Sequence, residues 1–129
     1  ERMLHRKIWV WGPPVLLMAL IFFMSSLPTP PDIPGGLSDV SVHALVYAVL
    51  GVLVLRAVAN ARWSGVAMRM AGWAFVITVM YGISDEFHQR FVPGRIAEVR
   101  DLAADVVGAF IGIMVVWTWS IVLSVRKSS

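Results

Sequence analysis

"IWVWGPPVLLMALIFFMSSL", Ile8 to Leu27, runs for twenty residues without a formal charge. As a helix it is long enough to cross the roughly 30 Å hydrocarbon core of a bilayer. No small-residue cleavage site follows it, so it is expected to stay as a span rather than be removed as a signal peptide. The rest of the chain has the same character. Of its 129 residues, 58% are hydrophobic and 15% charged, and the mean hydropathy is +0.76. Soluble domains carry about 25% charged residues, so this chain has too little polar surface to stay in water. The composition excludes an ordinary soluble domain.

Three further apolar blocks follow. The expected spans are therefore about 8–27, 40–61, 67–87 and 101–125, an all-α, integral membrane four-helix bundle forming a single domain over 1–129. His43 and Arg56 interrupt the second block. Arg69 stands at one end of the third block, with Asp85 and Glu86 at the other. Pro13 and Pro14 suit the first turn of a helix and would otherwise bend it. "PTPPDIPGG" (28–36) reads as an extended loop and "NARWSG" (60–65) as a tight turn.

Lys and Arg assign the sides of the membrane. Arg2, Arg6, Lys7, Arg56, Arg62, Arg69, Arg126 and Lys127 fall on one side, against Arg90, Arg95 and Arg100 on the other. The second side also holds every acid except Glu1, including Asp32, Asp39, Glu98 and Asp101. Positive charge is retained on the cytoplasmic side, so both termini are expected inside, in a multi-pass protein of the cell membrane. The charges form no basic patch, and no nucleic-acid partner is expected. Cysteine is absent, which removes thiolate chemistry and disulfides.

This topology gathers polar residues at the extracytoplasmic end. Asp39, His43, Tyr47 and Gly51 recur every four residues, and so lie on one stripe of the second span. Asp85 and Gln89 share a stripe on the third, with Tyr81 one turn below. Asp101, Asp105, Gly108 and Gly112 form a stripe on the fourth, polar above and small below. Small residues at this spacing let helix backbones approach closely. Ionised groups inside a membrane are costly, so pairing is expected, with Arg95 as the cation for Asp101 or Asp85. Pro93–Gly94 reads as a type II turn that sets Arg95 over the mouth of the bundle.

Each group has a plain reading beside a chemical one. Asp85 and Glu86 are either a helix end paired to Arg90 or Arg95, or a base or ligand facing the bundle. His43 is either a core histidine bonded to Tyr47 or Asp39, or a general acid/base. His43 and His88 with Asp85, Glu86, Asp101 or Asp105 could ligate a divalent metal, but no H-E-x-x-H or E-x-x-H pattern marks one. No metal and no cofactor is therefore expected. Ser25 and Ser26 lack the G-x-S-x-G context of a nucleophile.

"SDVSVHALVYAVLGVLVLR" (38–56) followed by "YGISDEFHQRFVPGRIAEVRDLAADVVGAFIG" (81–112) resembles the VanZ-like family. Its pattern is similar to D-x-x-x-H-x-x-x-Y-x-x-x-G, then D-E-x-x-Q-x-F-x-P-G-R…D-x-x-x-N-x-x-G. Asp39, His43, Tyr47 and Gly51 match the first part. Asp85, Glu86, Gln89, Phe91, Pro93, Gly94, Arg95, Asp101 and Gly108 match the second. "SSLP" (25–28) resembles the polar end of that family's first span. The chain departs from the pattern at Val40, where Lys is frequent, at Glu98, where Ser is common, and at Asp105, in place of Asn.

The resemblance implies a small membrane protein associated with teicoplanin resistance. The expected ligand-binding set is Asp39, His43, Tyr47, Asp85, Glu86, Gln89, Arg95, Asp101 and Asp105, with His43, Asp85 and Glu86 as catalytic candidates. Three functions fit: recognition of an envelope lipid or lipoglycopeptide antibiotic, hydrolysis or transfer on a phosphorylated envelope lipid, or a structural and assembly role. Membrane lipids are partners in all three.

Overall fold

A computed structural model describes residues 1–29 and 34–128. Among them the chain forms four α-helices and no strand: α1 (Arg2–Ser25), α2 (Asp39–Val58), α3 (Met68–Gln89) and α4 (Val99–Ser128), with a short 3-10 turn at Pro34–Gly36. Part of the expected 28–36 loop, with Asp32, lies outside the described residues. α1, α2 and α4 are long and apolar enough to cross a membrane. α3 matches them in length but is less apolar, because Arg69, Ser84, Asp85, Glu86, His88 and Gln89 fall within it. The polar end of α3 turns inward, where Asp85, Glu86 and Gln89 are buried.

The bundle is greasy outside and tightly fitted inside, as lipid demands. Trp73, Phe87, Phe110 and Trp119 are exposed, while Leu50, Val54, Leu55, Ala74 and Ile113 are buried. α2 packs most extensively on α4, and α1 and α4 each touch both α2 and α3. Glycine makes the α2–α4 contact possible. A Cβ on Gly112 would lie 2.5 Å from the Ala48 carbonyl oxygen, and one on Gly108 would come closer still to that of Ala44. Without a hydrophobic force between helices in lipid, such close backbone approach supplies much of the association.

α1 begins at Arg2, so Pro13 and Pro14 lie in its interior rather than its first turn, contrary to expectation. Proline has no N–H, so the carbonyls four residues earlier, those of Trp9 and Val10, lose their helical partner. Arg56 Nη1 of α2 lies 3.2 Å from Trp9 O and 3.4 Å from Val10 O. The arginine interrupting the second apolar block therefore supplies donors where the two prolines removed them.

The α2–α3 connection is fastened to α4. Gly65 N donates to Ser120 O, Val66 N to Ser120 Oγ, and Trp117 Nε1 to Val66 O, at 3.0, 3.3 and 3.1 Å. At the other end of the bundle, Arg95 N donates to Val92 O at 3.1 Å, and Gly94 has φ +84°. That is the type II turn expected at Pro93–Gly94.

Candidate functional site

The end of α1, the start of α2, the end of α3 and the start of α4 meet at one end of the bundle. His43 is the centre of the arrangement. Its Nδ1 lies 2.8 Å from Asp105 Oδ1, and its Nε2 lies 3.9 Å from Asp101 Oδ2. The partners are thus the two acids of α4, not Tyr47 or Asp39 on its own helix. Asp105 is 2% exposed and His43 about a quarter exposed by side chain. The buried acid orients the ring, and the ring reaches open space.

Gly82 of α3 makes room for this pairing. A Cβ there would lie 3.1 Å from the Tyr47 ring and 3.5 Å from Asp105 Oδ2. Tyr47 and Asp105 therefore lean on the same bare patch of α3. Tyr81, one turn below Asp85, donates its hydroxyl to Met18 O at 2.5 Å and ties α3 to α1.

Asp85 and Glu86 are joined to neutral donors rather than to arginine. Ser25 Oγ of α1 donates to Asp85 Oδ1 at 2.6 Å, and Gln89 Nε2 reaches Asp85 Oδ2 at 3.3 Å and Glu86 Oε1 at 3.4 Å. Ser25 is a site residue that the sequence reading weighed only as a nucleophile; its signal was its place in "SSLP" at the polar end of the first span. Arg95 pairs with neither Asp85 nor Asp101, contrary to expectation. Its Nε donates to Leu27 O at 2.8 Å and its Nη2 to Met24 O at 2.7 Å. Carbonyls at a helix C-terminus have no partner within the helix, and a guanidinium answers two of them at once.

Among the described residues no Lys or Arg pairs with Asp85, Glu86, Asp101 or Asp105; the one Arg–carboxylate pair is Arg100 with Glu98, at 3.3 Å. Three polar atoms in this region are buried with no hydrogen-bond partner: Tyr47 Oη, Glu86 Oε2 and Asp101 Oδ1. His88 stands apart, stacked on Phe22 with ring centroids 4.4 Å apart.

A cavity of about 250 Å³ opens against this cluster. Leu17, Leu20, Ile21 and Met24 of α1 and Val42 and Val46 of α2 make its apolar wall. His43, Tyr47, Asp85 and Gln89 make its polar end, with Ser25, Asp39 and Arg95 also in the lining. Glu86, Asp101 and Asp105 stand outside the lining, joined to it through Gln89 and His43. All nine expected site residues thus fall in one region, three of them behind the cavity rather than on it.

The sequence pattern of the VanZ/LLP1 family matches residues 38–122, well over half of the chain. The chain belongs to the VanZ/LLP1 family. No curated protein and no solved structure matches it. The family match begins one residue before Asp39 and takes in α2, α3 and most of α4. It therefore contains His43, Asp85, Glu86, Gln89, Arg95, Asp101 and Asp105, and leaves α1 outside. In this VanZ/LLP1 chain α1 still contributes Ser25 and four apolar residues to the cavity. The polar end belongs to the family segment; most of the apolar wall does not.

Proposed function

We propose that this VanZ/LLP1 chain recognises an amphiphile from the outer leaflet, a cell-envelope lipid or a lipoglycopeptide antibiotic, and acts in glycopeptide resistance of the teicoplanin kind. One observation carries the reading: a single cavity joins an apolar wall on α1 and α2 to a polar end at His43, Tyr47, Asp85 and Gln89. Pockets for small ligands combine a mostly apolar lining with a few convergent polar groups, which is the composition found here. The eight basic residues at the opposite end of the bundle support an extracytoplasmic site. Ser25 and Asp85 hold the end of α1 against α3, and Arg95 holds it to the Pro93–Gly94 turn, so the α1 wall has a fixed position.

The His43–Asp105 pair favours a second reading, hydrolysis or transfer on a phosphorylated envelope lipid. There His43 is the acid/base, with Asp105 fixing its tautomer and orientation.

A thermal-unfolding screen of the detergent-purified protein tests both. The panel holds envelope lipids, phosphorylated lipids and teicoplanin. A ligand at a hundred times its Kd stabilises the native state by about 2.7 kcal/mol. The expected result is a stabilising shift that is lost in Leu17→Trp, which fills the apolar end, and in His43→Ala. Release of phosphate from a stabilising lipid would select the enzymatic reading. No shift from any amphiphile, with His43→Ala unable to fold, would leave the cluster a structural device.

A further inference from the structure

The polar end has a charge imbalance that the protein itself does not correct. Asp85, Glu86, Asp101 and Asp105 converge there, and their only nearby cation-forming partner among the described residues is His43. Arg95, the nearest guanidinium in the lining, is turned to the α1 carbonyls. Removing a carboxylate from water without a compensating charge is costly, so a bare cluster of this kind is unfavourable. Donors are also short: Glu86 Oε2 and Asp101 Oδ1 have none.

One atom each from His43, Glu86 and Asp105 lie within 4.8 Å of one another. Three helices supply them, so the grouping comes from the packing of the bundle and not from a local sequence run. Glu86 is 7% exposed and Asp105 2% exposed, which makes them internal groups rather than solvated surface acids. Tyr47, 2% exposed, has an unpartnered hydroxyl, and its ring lies against the same patch of Gly82 that receives Asp105.

We propose that His43, Glu86 and Asp105 hold a divalent metal ion at the base of the cavity. Imidazole suits Zn²⁺, and carboxylates suit Mn²⁺, so this one-nitrogen, oxygen-rich set takes one of those two rather than a Cys-type or Ca²⁺-type ion. The ligand atoms, now up to 4.8 Å apart, would draw together to meet an ion at bonding distances of about 2.0–2.2 Å. Glu86 Oε2 then gains its missing partner, and Asp101 and Tyr47 stand as outer groups that orient the ligands or hold metal-bound water. A divalent ion offsets two of the four carboxylate charges at the polar end, and an open coordination position on it would take a head-group oxygen, such as one of a phosphate. Only that last consequence rests on the amphiphile reading.

The test uses the whole chain in detergent, stripped with a chelator, dialysed and titrated with Mn²⁺, Zn²⁺, Mg²⁺ and Ca²⁺ with no envelope lipid or antibiotic added. Calorimetry is expected to give one Mn²⁺ or Zn²⁺ per chain, with a raised Tm. Glu86→Gln keeps the side-chain size and is expected to weaken binding at least about tenfold, as even loss of an outer partner does. Glu98→Gln removes an acid that pairs with Arg100 outside the cluster, and is expected to bind like the parent. Should Glu86→Gln fail to fold, pulsed EPR of bound Mn²⁺ decides the matter, in a chain whose His5 and His88 are replaced by Gln. A directly coupled imidazole nitrogen there supports the site. Absence of that coupling, no binding at millimolar metal, or equal binding by the two Glu variants overturns it. Each of those results leaves the amphiphile reading standing, because no envelope lipid or antibiotic takes part.

Discussion

Arg56 Nη1 of α2 donates to the Trp9 carbonyl of α1 at 3.2 Å, and its guanidinium carbon lies 5.4 Å from the centre of the Trp9 ring. The neighbouring Val10 carbonyl is 3.4 Å from the same nitrogen. Both carbonyls sit four residues before a proline, Pro13 or Pro14. The arginine and the two prolines are therefore one device, split between two helices.

That dependence is measurable by a double-mutant cycle. Arg56→Gln is expected to destabilise the bundle by about 1.5–3 kcal/mol, the range for hydrogen bonds to a charged group. In a background carrying Pro13→Ala and Pro14→Ala, the Trp9 and Val10 carbonyls regain helical donors, and the cost is expected to shrink. Reversible denaturation in mixed micelles gives both numbers. An undiminished cost in the alanine background would mean that Arg56 acts through the Trp9 ring or the interface instead.

Gly108 meets backbone, not side chain, on α2, so its neighbour cannot move aside. Gly108→Ala is expected to force α2 and α4 apart and cost about 1–3 kcal/mol or more, the range for overpacking. Gly12→Ala meets nothing within 4 Å and is the matched control. It is expected to leave the unfolding midpoint unchanged or slightly raised. A pair of equal midpoints would show that the α2–α4 approach is not the tight contact described.

The stripes were legible in the sequence because a helix repeats its face nearly every fourth residue. His43–Tyr47–Gly51 and Asp101–Asp105–Gly108–Gly112 face the interior of one bundle, while Asp39 is exposed at the cavity's edge. α2, α3 and α4 begin and end within three residues of the expected apolar blocks, but α1 begins six residues earlier. Which acid takes His43 was not legible. It depends on how α2 is rotated against α4, and the close approach at Gly108 and Gly112 sets that rotation. Arg95 was misassigned for a related reason. A charge-pairing argument sees the carboxylates in the sequence but not the terminal carbonyls of α1, which become available to a side-chain donor only once the helix has ended. Arg56 was read only as a charge interrupting the second block because the carbonyls it serves, those of Trp9 and Val10, lie 47 and 46 residues away.

Arg95→Lys keeps the charge and removes the fork. An ammonium cannot span Leu27 O and Met24 O with the same fixed geometry. The substitution is expected to loosen the end of α1, with a loss of about 1–2 kcal/mol, near that of one or two hydrogen bonds. Faster proteolysis between α1 and α2 is expected to accompany it. Because Met24 and Ser25 belong to the cavity lining, any amphiphile bound there is expected to bind more weakly than to the parent. An unchanged proteolysis rate would mean that Ser25–Asp85 and Tyr81–Met18 hold the end of α1 without Arg95.

The orientation of the bundle follows from charge alone and is open to a direct check, because the chain has no cysteine to replace first. Ile96, 77% exposed beyond the Pro93–Gly94 turn, and Ala67, exposed before α3, lie at opposite ends of the bundle. Eight basic residues mark the Ala67 end and three the Ile96 end, so retention of positive charge is expected to put the first in the cytoplasm. Ile96→Cys is expected to react with a membrane-impermeant maleimide in intact cells, and Ala67→Cys only after permeabilisation. The reverse pattern would put His43, Asp85 and the cavity on the cytoplasmic side. The amphiphile would then have to come from the inner leaflet, and a role against an antibiotic outside the cell would fail with it. Labelling of both positions in intact cells would instead mean that α3 does not cross, a real alternative for the one helix whose composition falls short of a span. Burial of Asp85, Glu86 and Gln89 against α1, α2 and α4 argues for crossing, since that packing shields the polar residues of α3 that lipid would reject.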